Sequence, residues 1–186
     1  MKYRILIGAV GVALLTSGCM APKGGTPGEK RMFVDRMATE TLRSVYEKHP
    51  DAQQKVEHAA GYGVFSDFGY ALVTGGSAHG YGVVVNNESG ARTYMKMLEG
   101  SYGIGLGVKE FRTVFVFHDD ETLDKFVTKG LEIGVEGDAS TATSETGGHA
   151  TLNKGMETYH ITTKGFFVRA AAHAAIYSPD KKLNAK

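Results

Sequence analysis

The side chains that could carry catalysis are few and form no recognisable catalytic pattern. The seven histidines include no H-x-H or H-E-x-x-H pair, so they do not predict a zinc site. His118, Asp119 and Asp120 follow a predicted strand and could hold a metal with further ligands, but a helix N-cap explains them without one. Gly75 to Gly80 has His79 where a nucleophile elbow needs glycine, and a turn accounts for the segment better. We therefore predict no enzymatic activity, no metal and no cofactor.

A glycine-striped segment from Gly100 to Lys109 is not a nucleotide-binding loop. Gly103, Gly105 and Gly107 lack the spacing of a dinucleotide fingerprint, and a strand continues where that fingerprint needs a helix. At the strand period of two, these glycines share one face, and an apolar row of Tyr102, Ile104, Leu106 and Val108 shares the other. A bare strand face indicates a sharp bend or the close approach of another element, such as the helix predicted over residues 29–48.

The only cysteine, Cys19, cannot form an intramolecular disulfide. It follows a short basic stretch and an apolar segment from Ile5 to Leu15, which is too short to span a bilayer. With Gly18 before it, Cys19 resembles the acylated cysteine of a bacterial lipoprotein signal. We expect cleavage between Gly18 and Cys19, which makes residues 1–18 the signal peptide. A plain secretory signal and an uncleaved anchor are the alternatives.

Acylation of Cys19 would determine where the protein resides. Two or three acyl chains, palmitate among them, give stable membrane anchoring. In a host with two membranes, Met20 after the cysteine resembles the sorting default for the outer membrane, with the body facing the periplasm. Residues 19–28 are rich in glycine and proline and predict a flexible tether.

The charge of the mature chain excludes one class of partner and leaves another open. Without Lys2 and Arg4 the basic residues fall from 21 to 19 against 20 acidic ones, a net charge of −1. A chain so balanced does not bind nucleic acid by charge alone. Local basic groups could still hold lipid phosphates if they converge on one rim of the fold, although an ordinary solvated surface is the simpler reading. The candidates in or beside predicted strands are Arg92, Lys96, Lys109, Arg112, Lys164 and Arg169.

Three helices are expected after the tether. Apolar residues recur every three to four positions over 29–48, which predicts an amphipathic helix that packs on the core or, less favourably, lies on a membrane. His49 and Pro50 end it, and a second short helix follows over 51–60. Asp119 begins a short internal helix over 119–127 as its N-cap, with Gly130 or Gly134 near the end.

The remaining segments alternate as short strands joined by turns. Turns are expected at 66–69, 75–77, 86–90, 145–148 and 164–165, with strands between them that include 62–65, 70–73, 79–86, 91–98, 112–118 and 156–163. Residues 165–177 are alanine-rich, but their Phe-Phe-Val start favours a strand over a helix. The predicted fold class is α+β, one domain over 29–186 with an antiparallel sheet or barrel-like core.

The order of these motifs resembles the SYLF domain family. The residues that carry the resemblance are Ala59-Ala60-Gly61-Tyr62-Gly63-Val64-Phe65, Gly80-Tyr81-Gly82-Val83, Gly100 to Val108, Lys164-Gly165-Phe166-Phe167-Val168 and Asn184. The family includes yeast actin-binding regulators, animal lipid-binding relatives and bacterial lipoproteins. This chain departs from it at Arg169, where a second glycine is frequent.

The resemblance implies a non-catalytic domain that binds lipid or a membrane surface. The expected headgroup contacts are Lys96, Lys109, Arg112, Lys164 and Arg169, with a phospholipid as the ligand. A structural module that binds a protein partner in the envelope is the alternative function.

Overall fold

The computed structural model describes residues 21–72, 74–135, 148–153 and 155–185. These residues form three helices and six antiparallel strands, which confirms the predicted α+β class. The helices are α1 (Pro27–Lys48), α2 (Asp51–His58) and α3 (Asp120–Lys129). The strands are β1 (Gly61–Leu72), β2 (Gly75–Asn86), β3 (Arg92–Phe117), β4 (Leu131–Val135), β5 (Gly148–Asn153) and β6 (Met156–Pro179).

Local signals in the sequence set the helix ends. Thr26 and Glu29 form a reciprocal capping box at the start of α1, and Pro27 occupies its first turn, where no backbone donor is needed. Asp119 caps α3 by accepting from the Thr122 backbone N–H, so the helix-cap interpretation of this aspartate is confirmed. Gly130 ends α3 with a positive φ of 76°. Within the described ranges, no helix combines the length and hydrophobicity needed to cross a membrane.

The sheet is built around two long strands, β3 and β6, that pair along almost their whole lengths. The strand order is β1-β2-β3-β6-β4, with β5 also paired to β6 and β1 also paired to β3. The first half of β3 lies beside β2, and the second half lies beside β1. Among the described strands β4 pairs with β6 alone, so the sheet keeps an edge and is not closed into a barrel.

The glycine stripe lies where β3 changes neighbours. Its last pair with β2 is Tyr102–Gly75, and its first pair with β1 is Gly107–Ala71. Between them, Gly103 to Leu106 pair only with β6 among the described strands. Gly107 has a φ of 143°, which side chains rarely tolerate. The stripe is therefore the segment at which β3 stops pairing with β2 and begins to pair with β1, and its glycines allow the strand to bend there.

Alternation along the strands gives the sheet two buried faces. The helix face packs against α1 and α2, and the inner face packs against α3. On the helix face, the strand residues buried with the helices include Val64, Val83, Val85, Tyr94, Val114 and Val116. On the inner face, those buried with Leu123 and Phe126 of α3 include Phe65, Val84, Met95, Phe115, Phe117 and Tyr177.

Two glycines of β2 accommodate large side chains from β1. A Cβ at Gly82 would meet the Val64 carbonyl oxygen and the Phe65 ring, and a Cβ at Gly80 would meet the Asp67 carboxyl group. The neighbouring strand β1 therefore packs Phe65 over Gly82 and Asp67 over Gly80.

Several predicted turns lie inside strands. Residues 66–69 continue β1, residues 75–77 begin β2 and residues 164–165 continue β6, so those three turn predictions are wrong. The separate strands expected over 91–118 form the single strand β3. The turn at 86–90 is confirmed, as is the strand over 165–177, whereas residues 145–147 of the turn predicted at 145–148 lie outside the described residues.

Candidate functional site: an uncovered apolar face

Among the side chains that the structure describes, six large apolar ones on the strands are exposed to solvent. Tyr102 and Leu106 are the most open, at 82% and 64% exposed. The six, called the apolar patch below, are Tyr70, Leu98, Tyr102, Leu106, Val108 and Ile176. Single exposed apolar residues are ordinary, but a cluster on one surface indicates an interaction site.

The strand register brings the patch together. Tyr70 lies opposite Val108 on one side, and Leu98 lies opposite Ile176 on the other. Between these two pairs, Ser77 of β2 lies opposite Tyr70, and His79 lies opposite Leu98. Directly opposite residues on adjacent antiparallel strands point to the same face, so the patch is a continuous surface.

The apolar patch is the part of the helix face that the helices leave open. The buried side of α1 packs on the cluster that contains Val83 and Tyr94. The α1 residues in that cluster are Val34, Met37, Ala38 and Val45. Leu98 and Tyr102 lie four and eight residues beyond Tyr94 on the same strand, so they share its face. Leu98 is nevertheless 50% exposed, whereas Tyr94 is buried.

The basic side chain of Lys96 borders the patch, and Arg36 of α1 is connected to Lys96 only through two aromatic residues. Lys96 is exposed two residues before Leu98 and, among the described side chains, makes no ion pair. Arg36 of α1 lies over the Phe33 ring, 5.7 Å from its centroid. Phe33 in turn contacts Tyr81, which is the residue directly opposite Lys96.

Arg112 occupies the same cross-strand row as Lys96 but is engaged with α1. The row runs from Arg112 through Ser66 and Tyr81 to Lys96, three strand spacings or roughly 14 Å. The Arg112 guanidinium donates to the Met37 carbonyl oxygen at 3.3 Å and to Thr41 Oγ1 at 2.9 Å. Arg112 therefore holds the helix against the sheet.

The other predicted basic contacts lie elsewhere along the ladders. Arg92 pairs with Asp35 of α1 at 3.0 Å. For three others the structure describes the strand position only: Lys109 is opposite Gly165, Lys164 is opposite Glu110 and Arg169 is opposite Gly105. Gly18 and Cys19, the predicted cleavage and acylation site, lie outside the described residues.

Asp67 is a buried carboxyl group that the sequence did not predict. It is 1% exposed on the inner face, where Thr113 donates to Oδ2 at 3.3 Å and Oδ1 has no hydrogen-bond partner among the described residues. Burial raises the pKa of Asp67 well above its usual range. Its Oδ1 packs against the backbone of Gly80, so the group fills the core and does not line an open site.

The titratable side chains give no other sign of a reaction centre. Within the described ranges, no three His, Cys, Asp or Glu side chains lie together in a way that could hold a metal ion. His118 Nε2 lies 3.4 Å from Glu157 Oε1, and Lys55 also reaches that glutamate at 3.0 Å. This cluster joins α2 to β6 and the end of β3, which is a structural role.

The sequence contained part of the signal for the apolar patch. Strand alternation identified Tyr102, Leu106 and Val108 as one apolar row. The same alternation describes Tyr94 and Val114, which the helices cover. Whether an apolar row is buried or exposed therefore depends on the position of α1, which strand alternation does not reveal.

Comparison with known proteins agrees with this architecture. Residues 98–186 match the family described as Ysc84, Las17-binding protein actin regulator. The chain is also similar to Beta cell expansion factor A of Aeromonas veronii, with 32% identity over 158 residues. That match covers 85% of this chain and 60% of the relative, so the chain spans about three fifths of that protein's length. Residues 98–186 therefore match the Ysc84 (SYLF) family model, in agreement with the resemblance found in the sequence.

Proposed function

We propose that this chain is a non-catalytic, lipid-anchored protein of the bacterial cell envelope whose SYLF domain binds the lipid surface of a membrane. The observation that supports the proposal is the apolar patch, an uncovered part of a sheet face beside the exposed basic residue Lys96. Exposed apolar and aromatic side chains next to basic groups are typical of surfaces that enter the headgroup region of a bilayer.

The hydrophobic effect supplies the driving force for this docking. Full burial of a large apolar side chain contributes roughly 1.5–3 kcal/mol. Tyr102 and Leu106 project most openly, at 82% and 64% exposed, and would gain most on entering lipid. Lys96 stands beside the patch, where its ammonium group can meet a lipid phosphate.

The predicted anchor keeps the domain close to a membrane. If Cys19 is acylated, the seven residues from Met20 to Thr26 separate it from the first turn of α1. A chain of that length reaches at most about 25 Å when extended. Docking of the patch on the same membrane would then be an intramolecular step with a high effective concentration. The outer membrane, facing the periplasm, is the location we propose.

Vesicle co-sedimentation of residues 20–186, which contain every described helix and strand, tests the docking. We expect Tyr102→Ser combined with Leu106→Ser to weaken binding about tenfold or more, because two exposed apolar groups are removed. Met32→Ser is the matched control, since Met32 is 66% exposed but lies on α1 and is not one of the six residues of the patch. Equal loss in both variants, or no binding by the unaltered domain, would refute membrane docking. Chemical crosslinking to one dominant protein would then support a protein-binding module.

The anchor has a separate test. Mass spectrometry of the mature N-terminus from cells should find Cys19 as an acylated first residue. Cys19→Ser should abolish acylation and leave the protein held by the patch alone, so that less of it remains with the membrane fraction. An unmodified N-terminus at another residue would contradict the lipoprotein assignment without bearing on the apolar patch.

A further inference from the structure

We propose that His79 makes docking of the apolar patch dependent on pH, by adding a positive charge that meets a lipid phosphate when the imidazole is protonated. This inference rests on the proposed membrane docking and names its regulation. His79 is the histidine of β2 that lies beside the patch, directly opposite the patch residue Leu98 on β3 and opposite Phe68 on β1.

The hydrogen bonds of Ser77 determine how the imidazole takes up a proton. The Ser77 hydroxyl donates to the Glu99 carbonyl oxygen at 3.0 Å, so its lone pairs are left to accept from His79 Nε2 at 3.3 Å. Nε2 then carries the hydrogen of the neutral ring, and Nδ1 is the nitrogen that takes the second proton. Imidazole is the side chain whose charge ordinarily changes between about pH 5 and 8.

The groups described next to His79 include a basic side chain and no carboxylate, so an external anion would stabilise its protonated form. On its own strand the titratable neighbour on the same face is Tyr81, and on β1 it is Tyr70. On β3, Lys96 lies diagonally across from His79, at the roughly 7–8 Å typical of such neighbours. Glu110 lies one strand further away, beyond Phe68.

The α1 side of the sheet carries charges of both signs, since Asp35 of α1 accepts from the Tyr94 hydroxyl group at 3.1 Å and pairs with Arg92. Tyr81, two residues along β2, contacts Phe33 of α1, and Arg36 lies over the Phe33 ring. Protonation of His79 therefore places a second basic group near Lys96, amid apolar side chains. A phosphate between His79 and Lys96 would neutralise this charge, so the charged form favours an anionic membrane surface.

The experiment measures binding of residues 20–186 to vesicles at about pH 5.5 and about pH 8, where imidazole is mostly charged and mostly neutral. One set of vesicles contains phosphatidylglycerol, and the other contains phosphatidylcholine alone. We expect affinity for the anionic vesicles to rise about fivefold at the lower pH, which is the effect of one added basic charge near an anionic leaflet. We expect no such rise with phosphatidylcholine.

Two variants assign the effect to His79. His79→Gln keeps a side-chain amide near Ser77 but cannot gain a proton, and we expect it to abolish the rise. His58→Gln is the matched control, because His58 is an exposed histidine of α2 outside the patch, and it should keep the rise. Circular dichroism at both pH values verifies that the variants remain folded.

The possible results separate the two proposals. Binding of the unaltered domain that does not change with pH, or an equal rise in His79→Gln, would overturn the role of His79 and leave membrane docking intact. An equal rise on phosphatidylcholine would also overturn it, since the effect would not depend on anionic lipid. Absence of binding at both pH values would refute the docking itself.

Discussion

The side-chain amide of Asn184 bonds both backbone groups of Tyr94. Asn184 Oδ1 accepts from the Tyr94 N–H at 2.9 Å, and Asn184 Nδ2 donates to the Tyr94 carbonyl oxygen at 2.7 Å. The Asn184 amide therefore makes the same pair of hydrogen bonds with the Tyr94 backbone that a residue of a neighbouring strand would make. The neighbouring Leu183 is buried against α1, and Arg31 of α1 donates to its carbonyl oxygen at 3.1 Å. The C-terminal turn thus ties β3 to α1.

Replacing Asn184 by alanine should lower the free energy of unfolding by about 1–3 kcal/mol, because the Tyr94 N–H loses its partner and the Tyr94 carbonyl oxygen keeps only the Asp180 N–H, at 2.9 Å. Urea unfolding followed by circular dichroism measures this change. Lys182→Ala, at an exposed position of the same turn, is the control and should have little effect. Equal stability of Asn184→Ala and the unaltered chain would show that water replaces the amide without cost.

Asp67 should make the folded state less stable as the pH rises. Because burial raises its pKa well above the usual range, the folded chain keeps a proton that the unfolded chain releases near about pH 4. The contribution of Asp67 to stability is therefore full below that pH and falls as the pH rises toward the folded-state pKa. Asp67→Asn cannot ionise, so it should remove this part of the decline.

Urea unfolding at several values from about pH 5 to about pH 8 measures that slope. The range avoids the acid region, where Glu29, Asp51 and Asp119 contribute in the opposite direction because their pKa values are lowered by hydrogen bonds. Asp124→Asn, on the exposed side of α3, should keep the slope of the unaltered chain. An unchanged slope in Asp67→Asn would mean that other groups cause the pH dependence.

Two glycines of the sheet should respond to alanine in opposite ways. A Cβ at Gly82 would meet the Val64 carbonyl oxygen and the Phe65 ring, so Gly82→Ala should destabilise the fold by about 1–3 kcal/mol. A Cβ at Gly100 meets nothing within 4 Å, so Gly100→Ala should stabilise the fold by up to about 1 kcal/mol. Thermal unfolding of the two variants tests the contrast. Similar destabilisation in both would show that glycine is needed for reasons other than space.

The sequence predicted those elements whose signals are local. The apolar periodicity of α1 and the cap at Asp119 are patterns that extend over one or two helical turns. The structure has both helices close to the expected bounds. The strand over 165–177 was also recognisable from its Phe-Phe-Val start. Such signals depend on neighbours in sequence and need no knowledge of the tertiary fold.

The wrong turns at 66–69 and 164–165 have a tertiary explanation. Ser66-Asp67-Phe68-Gly69 has the composition of a turn, yet it continues β1 because Asp67 is accommodated over Gly80 and bonded by Thr113. Lys164 and Gly165 continue β6 because Glu110 and Lys109 of β3 pair with them. These partners are distant in sequence, so no local pattern could reveal them. The exposure of the apolar patch was hidden for the same reason.

The pairing of β3 with β6 has a consequence for how the chain acquires its fold. Every pair in this ladder is long-range, from Phe117 with Met156 to Met95 with Pro179. Such ladders form slowly, because closing the long loop between the strands costs conformational entropy before any cross-strand contact compensates for it. The last partner of β3 is Pro179, at the end of β6. The sheet can therefore be completed only after the whole of β6 has been synthesised.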